Sequence, residues 1–277
     1  MKHPSSPIVS AQWLYENINH PNIIVLDASI YADHSKKFIE FQDSIPGTLF
    51  IDLRKDFVDT TNELPNAFPS EEQFEKNCQK MGIKNENTVI IYDNRGIYTS
   101  PRAWYLFKSM GHQNVFVLNG GLPAYKAQGF ILDSLKTKSE KQSNYKSAFN
   151  PSTVKSYNQI VELLSDRHYC IIDARSSGRF TGNEAEPRPE IKSGCIKNSI
   201  NLPYVKVLKN GFYRSKDELN ELISSLNIHN KELIFSCGSG ITACIILLAA
   251  EIVNDNPKSL FDGSWTEWAT RQKLFKA

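Results

Sequence analysis

Cys237 ends the apolar run 232–236 and opens the segment Cys237-Gly238-Ser239-Gly240-Ile241-Thr242. A thiolate there would be a nucleophile. Gly238 and Gly240 have no side chains and reach unusual backbone angles, so the loop can curl and turn its N–H groups inward. A helix predicted over 241–253 adds partial positive charge at its start. The backbone of Gly238, Ser239, Gly240, Ile241 and Thr242 is therefore expected to cradle a sulfur anion. A cysteine considered alone more often packs in a core. Its place between a strand, a glycine loop and a helix favours reactivity instead. In the first half of the chain the matching stretch reads Tyr92-Asp93-Asn94-Arg95-Gly96, with Asp93 standing where Cys237 stands. An aspartate supplies no thiolate, so the first copy is expected to be non-catalytic.

Beyond the loop, four landmarks recur in one order at nearly constant spacing. Val25-Leu26-Asp27-Ala28-Ser29 resembles Ile171-Ile172-Asp173-Ala174-Arg175-Ser176, and the stretch 44–53 matches 195–204. Asp93 matches Cys237, and Gly121 in a glycine turn is paired with Gly263. Such a repeat is of domain size, far longer than a solenoid period. Each copy predicts the same elements. Helices are expected over 10–17 and 156–164, then strands over 23–27 and 170–173. Short strands over 49–52 and 199–202 follow, then helices over 70–81 and 215–226. Strands 88–92 and 232–236 lead into helices 100–110 and 241–253, and strands 115–118 and 258–261 end in glycine turns. Continuous apolar runs suit strands covered on both faces. Strands alternating with helices predict an α/β fold with two tandem domains, each a mostly parallel sheet flanked by helices. The boundaries read as 1–132 for a non-catalytic first domain, 133–152 for a polar, Lys/Ser-rich linker, and 153–277 for a catalytic second domain.

Composition narrows the function. A net charge of +2 spread without long like-charge blocks gives no footprint for nucleic acid. No segment is apolar for long enough to span a bilayer, and the first residues have no secretory signal pattern, so a cytoplasmic protein without membrane association is expected. The five cysteines, at 78, 170, 195, 237 and 244, have neither disulfide-framework nor zinc-ligand spacing. No metal and no cofactor is expected. Cys78, Cys170 and Cys244 read as core residues, and Cys195 as a packing substitution.

Cys237 to Thr242, with Asp262-Gly263-Ser264-Trp265 downstream and Asp173-Ala174-Arg175, Gly178-Arg179-Phe180 and Glu186-Pro187-Arg188 upstream, resembles the rhodanese superfamily over nearly the whole chain. Within it the chain is most similar to the 3-mercaptopyruvate sulfurtransferases. Their loop reads Cys-Gly-(Ser/Ala/Pro)-Gly-(Val/Ile)-Thr, and every position matches. The resemblance implies a sulfurtransferase taking sulfur from 3-mercaptopyruvate, and to some extent thiosulfate, through a Cys237 persulfide to cyanide or to a thiol such as thioredoxin or a small thiol. It implies Arg179 and Arg188 as the substrate-binding pair, whose planar forks suit an α-keto carboxylate. It implies Ser239 as a proton relay, supported by Asp52 of the first domain. The family's relay histidine is replaced, on the alignment of the Leu-Pro that follows it, by Asn62, and asparagine cannot shuttle a proton as imidazole does. Arg175 is expected to tie loops together.

Three rival readings remain. Thiosulfate-preferring relatives carry a basic loop, and here Gly238 and Ser239 are neutral. A phosphatase needs arginine six residues after its cysteine, where this chain has Ala243. A non-enzymatic scaffold suits the Asp93 copy and not the intact Cys237 loop.

Overall fold

Residues 88–92 and 232–236 each hold a continuous apolar run, 89–92 and 233–235, and in the computed structural model each segment forms the central strand of its own sheet. The structure describes residues 4–32, 35–139 and 142–275. The chain divides into two compact units. The first takes in residues up to Thr60, Phe68–Asn150 and Asn210–Tyr213; the second takes in Thr61–Ala67, Pro151–Lys209 and Arg214 onward.

In the first unit the strand order is Ile8–Val9, Val115–Leu118, Thr88–Tyr92, Ile23–Asp27, Leu49–Phe50, all parallel. In the second the order is Val154–Lys155, Lys258–Phe261, Glu232–Ser236, Tyr169–Asp173, Ile200–Asn201, again all parallel. The central registers correspond, with Asp27 opposite Tyr92 and Asp173 opposite Ser236. The five residues Thr88–Tyr92 are all buried, as a strand covered on both faces requires. Each apolar side chain withdrawn from water there contributes about 1.5–3 kcal/mol.

Helices start where serine can accept a backbone N–H. Ser10, Ser70, Ser156 and Ser215 each cap a helix in this way, and Ser156–Gln159 and Ser215–Glu218 close full capping boxes. A cap of this kind contributes about 1 kcal/mol. The helix after the sulfur loop begins at Ala243, two residues later than the sequence predicts, because residues 237–242 are spent on the turn. Its residues Ala243 to Ala250 are all buried.

Three expectations change. The edge strands Ile8–Val9 and Val154–Lys155 and the helices Gly121–Ala127 and Ser264–Arg271 were not anticipated. The helix that follows each glycine turn fixes the pairing of the copies: Gly120 and Gly263 are the two N-caps, so Gly120 rather than Gly121 corresponds to Gly263. Gly121 and Ser264 then match, and both have left-handed φ, 56° and 50°. Finally, in the polar stretch expected as a linker, residues 143–150 pack against the first unit; 140 and 141 lie outside the described residues. Tyr145 is fully buried against Phe74 and stacks on His112. The Ser143 hydroxyl donates to Ile83 O, and the amides of Ala148 and Asn150 donate to Met110 O and Ser109 O. Among the described residues no helix is long and apolar enough to cross a membrane.

Candidate active site

The strand Glu232–Ser236 delivers Cys237 to the carboxyl edge of the second sheet, where open α/β sheets hold their ligands. Cys237 is 2 % exposed. The Gly240 N–H donates to its Sγ at 3.1 Å. That contact depends on Gly240 standing at φ 84°, a conformation costly for any residue with a Cβ. The loop is anchored to the start of the helix Ser264–Arg271. The Cys237 N–H donates to Ser264 Oγ at 3.1 Å, and Trp265 and Thr266 donate their N–H groups to Cys237 O and Gly238 O at 2.9 and 3.0 Å. The helix thus has its first N–H groups satisfied by the loop, and each element fixes the other.

Two arginines flank this loop. A Cβ built on Gly238 would lie 2.9 Å from Arg179 Nη2, so the missing side chain at 238 is what makes room for the guanidinium. Arg179 is held from behind by Glu186, to which its Nε donates at 3.2 Å and its Nη2 also donates. Arg188 Nη1 donates to Thr266 Oγ1 at 3.1 Å, and the Thr266 hydroxyl donates to Gly238 O at 2.6 Å. Arg175 is fully buried. It forks onto Asp173, donates to Glu186 at 2.7 Å and to Gly194 O at 2.6 Å, and lies over the Trp265 ring. Burial alone would lower its pKa, but Asp173 and Glu186 outweigh that and hold it raised. Arg175 thereby ties three loops together, as the sequence suggests.

Cys237, Ser239, Arg179 and Arg188 thus come together within the second unit. Ile241 and Thr242 complete the turn, with Thr242 as N-cap of the helix Ala243–Val253. Asp52 lies in the first unit, where its Oδ1 accepts the Arg54 N–H at 2.8 Å. Asn62, expected to replace a relay histidine, is exposed and turns its Oδ1 onto the Leu64 N–H at 2.9 Å. The asparagine that meets the loop is Asn66, four residues on. Its Nδ2 donates to Ser239 Oγ at 3.0 Å and to Ser239 O at 3.1 Å. Glu186, Thr266 and Ser264 were likewise missed. Glu186 lies two residues before Arg188 in the motif Glu186-Pro187-Arg188, which was the available signal; in the structure it is buried between Arg175 and Arg179. Cys78, Cys170 and Cys244 are buried as expected, and burial pushes the thiols of Cys78 and Cys170 up, which keeps them inert. Cys195 is exposed rather than packed. Among the described residues no group of three or more His, Cys, Asp or Glu is placed to hold a metal ion.

The first unit builds the same turn around a carboxylate. Asp93 Oδ2 accepts the N–H groups of Tyr98, Thr99 and Ser100 at 2.8, 3.0 and 2.9 Å, and the Ser100 hydroxyl at 2.7 Å. Its Oδ1 accepts the Arg95 N–H at 2.9 Å. Leu122 N–H donates to Asp93 O, as Trp265 N–H does to Cys237 O. The first loop is one residue longer before its helix: Thr99 and Thr242 are the two N-caps, so Tyr98, Thr99 and Ser100 correspond to Ile241, Thr242 and Ala243. In the first unit the turn gathers N–H groups around one acceptor, and a side chain of the protein supplies it.

The chain is similar to known proteins over nearly its whole length. The family model for the rhodanese-like domain matches twice, at residues 10–128 and 156–271. The chain is 34% identical to the Arabidopsis thaliana mitochondrial thiosulfate/3-mercaptopyruvate sulfurtransferase 1, over 98% of this chain and 78% of the relative. It is also 34% identical to the Mus musculus 3-mercaptopyruvate sulfurtransferase, over 95% of this chain and 92% of the relative. Among solved structures it superposes on the Escherichia coli 3-mercaptopyruvate sulfotransferase SseA with a TM-score of 0.82 at 28% identity, covering 94% of this chain and 99% of that one.

Proposed function

The chain belongs to the rhodanese family and is a sulfurtransferase, and on that premise we propose that it moves sulfur from 3-mercaptopyruvate to cyanide or a thiol through a persulfide on Cys237, releasing pyruvate. The observation that carries this reading is Cys237 on its glycine turn with Arg179 and Arg188 beside the same loop.

The reaction runs in two halves. The Cys237 thiolate attacks the sulfur of the donor. The new S–S bond forms as the donor's C–S bond breaks, and that electron pair leaves on carbon as the enolate of pyruvate. Arg179 and Arg188 hold the carboxylate and the carbonyl oxygen, where charge develops. The proton carried by the donor's thiol ends on the methyl carbon, relayed by the Ser239 hydroxyl, and the enzyme is left as Cys–S–S⁻. In the second half cyanide or an acceptor thiolate attacks the outer sulfur, and the Cys237 thiolate departs. Asp93 supports the loop's part in this. From Cβ, a carboxylate oxygen and the outer sulfur of a persulfide are each two bonds away. The outer sulfur is therefore expected against the N–H groups of Ile241, Thr242 and Ala243, as Asp93 Oδ2 is against those of Tyr98, Thr99 and Ser100. As proposed, the chemistry uses groups of the second unit.

The neutral Gly238 and Ser239, with Arg188 nearby, favour the keto acid over dianionic thiosulfate. Initial rates with each donor, cyanide as acceptor, test this on wild type, Cys237→Ser and Arg188→Gly. Cys237→Ser should abolish transfer from both donors. Removing the Arg188 fork costs about 1.5–3 kcal/mol of charged hydrogen bonding, so KM for mercaptopyruvate should rise tenfold or more while thiosulfate is less affected. Full activity in Cys237→Ser would refute the mechanism, and an unchanged donor ratio in Arg188→Gly would refute the donor assignment.

A further inference from the structure

Asn66 belongs to the second compact unit although it comes from the first half of the chain, and its side chain reaches Ser239 across 173 residues of sequence. It holds a left-handed backbone conformation, φ 62°, directly after Pro65. Asparagine tolerates that region better than other residues with a Cβ. The identity of the contacting atom follows from chemistry. One terminal atom lies 3.1 Å from Ser239 O and 3.0 Å from Ser239 Oγ. A backbone carbonyl oxygen can only accept, so that atom is the amide nitrogen, and its two N–H groups serve the two oxygens.

Ser239 Oγ accepts from Asn66, so the hydroxyl's own single proton must point elsewhere. The carbonyl contact holds the Ser239 backbone at the same time, so the hydroxyl is placed with its proton directed away from Asn66. We propose that Asn66 is a positioning residue, which holds the Ser239 hydroxyl as a proton donor toward the reacting donor molecule. The proposal rests on the role given to Ser239 above and deepens it. A chain in which Asn62 is turned onto its own backbone has another asparagine orienting the serine, by a fixed amide dipole that takes no part in the proton transfer.

The test is single-turnover release of pyruvate, with enzyme in excess over 3-mercaptopyruvate, in wild type, Asn66→Gly, Ser239→Ala and the double variant. Glycine retains the left-handed backbone at little cost and deletes the amide alone. The expected result is that Asn66→Gly slows release about tenfold in the wild-type background, with donor KM little changed, and causes no further loss in the Ser239→Ala background. Asn66→Asp keeps the size but turns carboxylate oxygens toward Ser239 O and Oγ, so it should be at least as slow, and melting temperatures show whether each variant is folded. A wild-type rate in Asn66→Gly, a wild-type rate in Asn66→Asp, or an equal tenfold loss in both Ser239 backgrounds overturns the proposal. A wild-type rate in Ser239→Ala removes the relay itself, and this proposal with it, while the persulfide reading is tested separately by Cys237→Ser.

Discussion

Asp27 and Asp173 occupy the same position in the two sheets, but their surroundings differ by one residue. Two places after Asp173 comes Arg175, which forks onto it; two places after Asp27 comes Ser29. Asp27 is fully buried, and its oxygens accept from the Ser29 N–H at 2.7 Å and the Tyr31 hydroxyl at 2.9 Å. Burial pushes its pKa up from 3.8 to about 6, against the pull of those hydrogen bonds and with a further push from Asp93. The folded protein therefore binds this proton more tightly than the unfolded chain. Stability from Asp27 is fully present below about pH 4 and is lost as pH rises through about 6. The difference of roughly two pKa units corresponds to about 3 kcal/mol. An asparagine at this position stays neutral throughout, so Asp27→Asn should match wild type near pH 4 and be more stable by about 3 kcal/mol at pH 7. Two units need not unfold together, so the measurement belongs on the first sheet: hydrogen exchange of the Val89, Ile90 and Ile91 amides across pH 4–7. Opening free energies that run parallel in the two proteins over that range would refute the assignment of a buried, uncompensated carboxylate.

Two further substitutions probe the loops. Glu186→Gln leaves Arg175 and Arg179 facing a neutral amide in a buried site, and it should lower stability by about 3 kcal/mol and kcat/KM for mercaptopyruvate about tenfold, read by thermal unfolding and steady-state rates; an unchanged kcat/KM would show that Arg179 does not need Glu186 behind it. Asp93→Ala strands the N–H groups of Tyr98, Thr99 and Ser100 in the interior and should cost the first unit at least about 3 kcal/mol, seen as faster exchange of the Thr88–Tyr92 amides; exchange at the wild-type rate would mean that those donors find other acceptors.

How much of this was legible depends on where the determining contact lies. Strands 88–92, 115–118, 232–236 and 258–261 could be read to the residue, because an apolar run bounded by polar residues is a local signal. The edge strands Ile8–Val9 and Val154–Lys155 could not, since two residues carry no period. Residues 133–139 and 142–150 look like linker because they are polar, and they are bound down because their backbone finds partners in the first unit, which composition does not record. The same division runs through the site. Cys237, Arg179 and Arg188 were visible as local motifs, whereas Asn66 was not, because its meaning lies 173 residues away, and attention fell on Asn62, whose bond is local.

The two loops show why a motif and its degenerate copy can share one backbone. A turn that aims several N–H groups at one point must place an acceptor there, or each buried donor costs about 1–3 kcal/mol. In the first unit Asp93 supplies that acceptor permanently, with five hydrogen bonds, and the turn is structural. In the second the residue is Cys237, whose sulfur takes the Gly240 N–H and reaches less far than a carboxylate. On the proposed mechanism the outer sulfur completes the same set of bonds, so the turn is best satisfied in the charged intermediate rather than in the resting thiol. The loop would then bind the persulfide more tightly than the free enzyme's sulfur, which is the differential a two-step transfer requires of its carrier.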